Sequence, residues 1–184
     1  MKNKSYRICV IGAWRNYSKK AEASAKEVGK WLAKNKHILV TGACLGIPQI
    51  VARNYKLNGG INSIGYSPAN HKNYHNETHG LTTEDIFHEL IFMKSDKPLN
   101  YSERNIVNIT NSDAVILISG RMGAIMEYTI AHDQQKPVGV IEGVGGASDV
   151  AKTIELALYN KKKSLFSKSV NSLMPKVISK IKTN

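Results

Sequence analysis

Ser112-Asp113-Ala114-Val115-Ile116-Leu117-Ile118-Ser119-Gly120-Arg121-Met122-Gly123-Ala124-Ile125-Met126-Glu127 decides how this 184-residue chain is read. Val115 to Ile118 is an unbroken β-prone apolar run, as in a strand covered on both faces. Gly120 and Gly123 bracket a turn after it, where the lack of a Cβ lets backbone N–H groups converge on a ligand. A helix starting there aims its unpaired N–H groups and positive dipole end at whatever lies above the turn. Glu127 falls one helical turn past Gly123, near the same mouth. It could act as a base, bind a sugar hydroxyl, or only pair with the dipole.

Outward from this segment, strands and helices alternate, the pattern of a doubly wound, mainly parallel sheet with helices on both faces. Strands are predicted at Tyr6 to Ile11, His37 to Thr41, Ile61 to Gly65, Glu89 to Met93 and Pro137 to Ile141. Helices are predicted from Ser18 to Lys34, with Ser18 as N-cap, and from Ile47 to Leu57, with Pro48 in its first turn. Others run from Asn100 to Asn111, from Ser148 as a cap to Tyr159, and from Ser167 to Lys182. Asn70 to Leu81 breaks the rhythm. Its His71, His75 and His79 share a spacing of four, so a metal cluster and a solvated flap are both readings; Asn, Gly and Thr in the stretch favour the flap. No repeat or linker appears, so residues 1–184 are expected to form one domain.

Composition narrows the classes. Hydrophobic residues make up 42% and charged residues 22%, ordinary for a globular chain. No apolar run approaches the roughly 20 residues of a membrane span. The first residues, Met1 to Ser5, do not read as a signal peptide, and Cys9 and Cys44 have no metal-type spacing. A cytoplasmic protein with reduced thiols and no membrane partner is expected. The net charge of +12 favours anionic partners. Its lysines are scattered without interleaved aromatics, and the run Lys161-Lys162-Lys163 reads as solvated surface, so nucleic acid is not the expected partner.

In an open parallel sheet, ligands bind beyond the carboxyl ends of the strands at the switch point. Small or glycine-rich loops stand at such ends: Gly12-Ala13, Gly42 to Gly46, Ser67-Pro68 and Ser119 to Gly123. Several together point to a phosphate- or nucleotide-sized site. The GxxxxGK[ST] phosphate loop is absent, and no GxGxxG follows the first strand.

Gly42-Ala43-Cys44-Leu45-Gly46-Ile47-Pro48, Gly59-Gly60, Ser102-Glu103-Arg104-Asn105 and Ser119 to Glu127 fall in an order that resembles the LOG (LONELY GUY) family. That family was once called lysine-decarboxylase-like and lies within the wider SLOG group of Rossmann-like proteins. The resemblance is nearest to the branch with molybdenum-cofactor carrier-like proteins and covers about Tyr6 to Tyr159. It implies a three-layer Rossmann-like fold and a homo-oligomer, dimer or tetramer. LOG enzymes hydrolyse the N-glycosidic bond of nucleoside 5′-monophosphates and carry a PGGxGTxxE motif with an upstream arginine. On that pattern Arg104 and Glu127 match the catalytic pair. Gly12, Ala13, Gly42, Ala43, Cys44, Ser67, Asn105, Gly120, Arg121, Met122, Gly123 and Ala124 are the expected nucleotide- and phosphate-binding positions. No metal is implied and no cofactor required; the ligand is a phosphorylated nucleoside-type molecule or a pterin nucleotide.

This chain departs from the motif. Ser119 replaces the proline, Arg121 the second glycine and Ala124 the phosphate-binding threonine. Ala124 removes a hydroxyl worth about 1–3 kcal/mol when charge-assisted. Arg121 either donates to phosphate in its place, the preferred reading, or points to solvent. Three roles follow: a phosphoribohydrolase-like enzyme, a carrier of a nucleotide or molybdopterin-type cofactor without turnover, or a sensor of a nucleotide-derived signal.

Overall fold

The computed structural model describes residues 4–79, 86–94 and 96–183. Gly80 and Leu81, at the end of the histidine-bearing stretch, lie outside the described residues. One seven-stranded sheet organises the chain: β1 (Arg7–Gly12), β2 (Ile38–Thr41), β3 (Ser63–Ser67), β4 (Glu89–Phe92), β5 (Ala114–Ile118), β6 (Val138–Ile141) and β7 (Leu165–Ser167). The order is β4-β3-β2-β1-β5-β6-β7, and every neighbouring pair is parallel. The chain winds outward from β1 to β4, crosses back, and winds outward again from β5. The reversal lies between β1 and β5, where Gly12 is in register with Ile118.

The strand sequences explain the layers. Successive side chains point to opposite faces. Ile8, Val10, Ile116 and Ile118 enter one apolar cluster with α1 (Lys19–Lys34), α2 (Ile47–Leu57) and α7 (Val170–Thr183). Cys9, Ile11, Val115 and Leu117 enter the other, with α4 (Tyr101–Thr110), α5 (Met122–Asp133) and α6 (Ala147–Tyr159). This is the Rossmann-like three-layer α/β/α architecture. On α1, Ala21, Ala25, Val28 and Leu32 are fully buried, and the Ser18 hydroxyl accepts from the Ala21 N–H at 3.1 Å. Both features follow from the helical spacing in the sequence.

Differences from the sequence reading have local causes. The third strand begins at Ser63 rather than Ile61; Leu39 pairs with Ser63, and Ile61 is left 80% exposed. Within the histidine stretch, α3 (Lys72–His79) forms where no helix was predicted; it leaves half of its residues exposed and buries His75 and His79. The Ser67 hydroxyl meets His75 Nδ1 at 2.8 Å, a tertiary contact that outweighs poor helix propensity. His71 is exposed before the helix, and among the described residues no three or more His, Cys, Asp or Glu are grouped to hold a metal. β7 escaped the sequence reading because it has three residues and no alternation. Ser148 does not cap α6; Gly146 holds the cap position, and the Ser148 hydroxyl serves the loop after β5. Among the described residues, no helix is long and apolar enough to cross a membrane.

Candidate functional site

A cleft of about 390 Å³ opens at the carboxyl ends of β1, β2 and β5, over the reversal. Its floor is made by α4 and α5. Asn100 starts α4: its Oδ1 accepts from the Glu103 N–H at 3.0 Å, and its Nδ2 donates to Glu103 Oε2 at 2.8 Å. With Glu103 engaged in that cap, Arg104, Asn105 and Asn108 form the buried face of the helix.

Arg104 and Glu127, brought together across 23 positions of sequence, are 8% and 5% exposed. Arg104 Nη1 donates to Glu127 Oε1 at 3.2 Å, and Asn108 Nδ2 donates to the same oxygen at 2.9 Å. Arg104 Nη2 lies 3.8 Å from Cys44 Sγ. Burial pushes the Glu127 carboxyl above its ordinary pKa; Arg104 and the Asn108 hydrogen bond pull it down without cancelling that effect. Burial works against the charged Arg104, but its acidic neighbours Cys44, Glu127, Cys9 and Tyr101 together outweigh it and hold the guanidinium above its ordinary value. Burial also raises the Cys44 thiol, so it stays protonated near neutrality. Arg104 Nε, Asn105 Oδ1 and Asn108 Oδ1 are buried with no hydrogen-bond partner among the described residues. A buried ion pair surrounded by unmet polar atoms is poor design for stability and suits a ligand-binding floor.

The loops shape the walls. Gly42 lets the arginine in: a Cβ there would sit 1.7 Å from Arg104 Nη1. At α5, Arg121 is the extended N-cap residue and makes no side-chain cap bond. The first N–H groups of the helix therefore have no partner within it and face the cleft mouth, where Arg121, Gly123 and Ala124 line the wall. Ser119 adopts φ 57°, a value that a proline ring forbids, so the loop takes a path that the family motif's proline could not follow. The turn is pinned from α6: the Ser119 N–H donates to Ser148 Oγ at 2.7 Å, and the Ala147 N–H donates to the Gly120 carbonyl at 2.9 Å.

Of the positions expected from sequence, Gly12, Ala13, Gly42, Cys44, Arg104, Asn105, Arg121, Gly123, Ala124 and Glu127 line the cleft. Ala43, Ser67, Gly120 and Met122 do not. Ala43 is buried against the core, Ser67 is held by His75, Gly120 forms the turn, and Met122 is 79% exposed. Sequence reasoning missed Asn108, which an i, i+4 reading from Arg104 would have placed on the same face. It also missed Trp14, Arg15, Tyr101 and His79 on the walls. His79 was singled out in the sequence only by its spacing of four from His75, as part of a possible metal cluster or flap, and not as a wall of this cleft.

Comparison with known proteins gives the fold and site a family. The sequence profile described as the SLOG cluster4 family matches residues 5–174. The chain belongs to that family, in agreement with the resemblance read from its glycine motifs. The molybdenum cofactor binding protein from the phototrophic bacterium Rippkaea orientalis shares 21% identity at a TM-score of 0.77, over 97% of this chain and 98% of that one. The molybdenum cofactor carrier protein from Chlamydomonas reinhardtii shares 18% at 0.75, over 98% and 100%. DNA processing protein A from Helicobacter pylori, a single-stranded DNA binder, shares 21% at 0.65, over 97% and 79%. At these identities the likeness establishes the fold. No curated protein matches the sequence.

Proposed function

We propose that the cleft binds a nucleoside 5′-phosphate and that Glu127 and Arg104 promote hydrolysis of its N-glycosidic bond. The observation that carries this reading is the Arg104–Glu127 pair at the cleft floor, bounded by the unpartnered atoms of Arg104, Asn105 and Asn108. The phosphate is taken by the N–H groups at the start of α5 and by Arg121. Both hydrogen bonds to Glu127 fall on Oε1, which leaves Oε2 to orient a water. The water oxygen attacks the anomeric carbon as the carbon–nitrogen bond breaks. The base departs with the bonding electrons and is protonated from solvent. The attacking water gives up one proton to the Glu127 carboxylate, which returns it to solvent; before that transfer the negative carboxylate stabilises the oxocarbenium character of the transition state. The products are free base and ribose 5-phosphate.

A second reading is a carrier of a pterin-type cofactor without turnover. The altered Ser119-Gly120-Arg121 turn favours it, as do the cofactor-binding neighbours from Rippkaea and Chlamydomonas. Single-stranded DNA ranks behind a free nucleotide, because what favours it in this chain is the net charge of +12. Self-association is part of the proposal: Ile106, Met122 and Met126 on α4 and α5 leave apolar surface exposed beside the cleft.

The test is incubation with a panel of nucleoside 5′-monophosphates, following free base by chromatography and melting temperature in parallel. Base release abolished by Glu127→Ala supports the hydrolase. Thermal stabilisation without release leaves the carrier. If no nucleotide shifts the melting temperature, the site assignment fails.

A further inference from the structure

The loop after β1 carries Trp14 and Arg15 into the cleft mouth, opposite in chemistry to the polar floor. Trp14 is 48% exposed, so its indole serves no core. Its backbone, by contrast, is held tightly. Gly46, at φ 77°, packs so closely that a Cβ would lie 2.5 Å from the Trp14 carbonyl carbon and oxygen. The Ile47 N–H at the start of α2 donates to the Ala13 carbonyl at 2.8 Å. Asn16 then turns the chain away at φ 54°. A fixed backbone that presents a large, half-exposed aromatic ring to a charged cleft is a preorganised contact surface. The Arg15 guanidinium lies over the Trp14 ring, 4.2 Å from its centre, so it covers one face of the indole and leaves the other for a ligand.

We infer that Trp14 is the base-recognition residue of this cleft, stacking the indole face that Arg15 leaves open on a flat bicyclic heteroaromatic ring of the purine or pterin type, with Arg15 backing the indole from its other face. The inference rests on the nucleotide reading above and adds the class of base. A bicyclic ring overlaps an indole more fully than a pyrimidine does. Stacking on an aromatic side chain is worth about a five- to hundredfold change in affinity on removal of the ring. The sugar phosphate sits deeper, toward Arg104, Glu127 and the start of α5.

The chain contains two tryptophans, Trp14 and Trp31. Trp31 is on α1 and stacks on His37, away from this cleft. In Trp31→Phe, emission therefore reports Trp14 alone. The experiment titrates this variant with adenosine 5′-monophosphate, cytidine 5′-monophosphate and ribose 5-phosphate, and measures affinities in parallel by calorimetry. Adenosine monophosphate is expected to quench the emission and bind tighter than cytidine monophosphate; ribose 5-phosphate is expected to bind without quenching. Trp14→Ala should weaken adenosine monophosphate by about tenfold and leave ribose 5-phosphate unchanged, and Trp14→Phe should restore most of the loss. Adenosine monophosphate binding that neither quenches Trp14 nor weakens in Trp14→Ala overturns the stacking role and leaves the nucleotide site standing. Absence of binding by all three overturns both.

Discussion

Gly42→Ala tests the architecture of the cleft floor with a single methyl group. The φ of Gly42 is not in the left-handed region, so the backbone itself accepts alanine. The methyl would sit 1.7 Å from Arg104 Nη1 and 2.6 Å from Cζ. Ordinary contact is about 3.5 Å, so the guanidinium has to move by about 2 Å. That breaks its 3.2 Å hydrogen bond to Glu127 and its 3.8 Å contact with Cys44. Glu127 then keeps Asn108 as its donor but loses its positive neighbour in a buried setting. Removing one partner of a buried pair costs about 3–5 kcal/mol, and escape of the carboxyl into its neutral form reduces this, so a loss of about 2–3 kcal/mol is expected. The assay is urea unfolding of the wild type, Gly42→Ala, Arg104→Ala and the double variant. In the Arg104→Ala background the methyl meets no guanidinium, and Gly42→Ala should be neutral or stabilising by about 0.5 kcal/mol through the unfolded state. Equal costs in the two backgrounds would refute the claim that Gly42 exists to admit Arg104.

Three further outcomes follow. Ser148→Ala removes the 2.7 Å acceptor of the buried Ser119 N–H and should lower unfolding stability by about 1–3 kcal/mol; a loss under about 0.5 kcal/mol would mean the turn after β5 is held otherwise. Burial lowers the His79 imidazole to about 4, with His75 and Arg104 adding to it. The unfolded chain therefore binds the proton first as pH falls below about 6.5, and stability is lost through that window. Glu127, raised in the fold, shifts stability the other way over part of the same range, so the comparison has to be with His79→Leu. Between pH 7 and 4.5 the wild type should lose about 2 kcal/mol more than the variant in urea titrations; parallel losses would contradict the assignment. If the cleft hydrolyses nucleotides through the Glu127 carboxylate, the acid limb of the kcat profile should lie above the ordinary carboxylate range, since burial raises that group. An acid limb at or below that range would assign the titration to another group.

The elements legible in the sequence are those whose own residues specify them. β5 is a continuous apolar run, α1 repeats its apolar residues every three or four positions, and α2 has a proline in its first turn and glycines after it. These signals lie within one segment. α3 is mostly polar; it is held by His75, which is drawn inward by the Ser67 hydroxyl and packs edge-on against Phe92, side-chain contacts that periodicity and propensity do not report. The same holds for Ser148, which looks like a helix cap until the turn after β5 is seen to need its hydroxyl. At the site, Arg104 and Glu127 were readable from motif order, and the family match bears out that resemblance. Asn108 was readable in principle from helical spacing. Trp14 was not, since a tryptophan after a strand reads equally well as core, and only its exposure and the close packing of Gly46 beneath its backbone set it apart.

The most direct test of the site is a calorimetric titration of the wild type with a nucleoside 5′-monophosphate and with its unphosphorylated nucleoside, repeated on Gly42→Ala. The monophosphate is expected to bind at least about tenfold tighter than the nucleoside, one charge-assisted phosphate contact being worth that much, and the displaced Arg104 is expected to weaken binding. Equal affinities for the two, or monophosphate binding unchanged in Gly42→Ala, would contradict a phosphorylated nucleoside site built on Arg104, Glu127 and the start of α5.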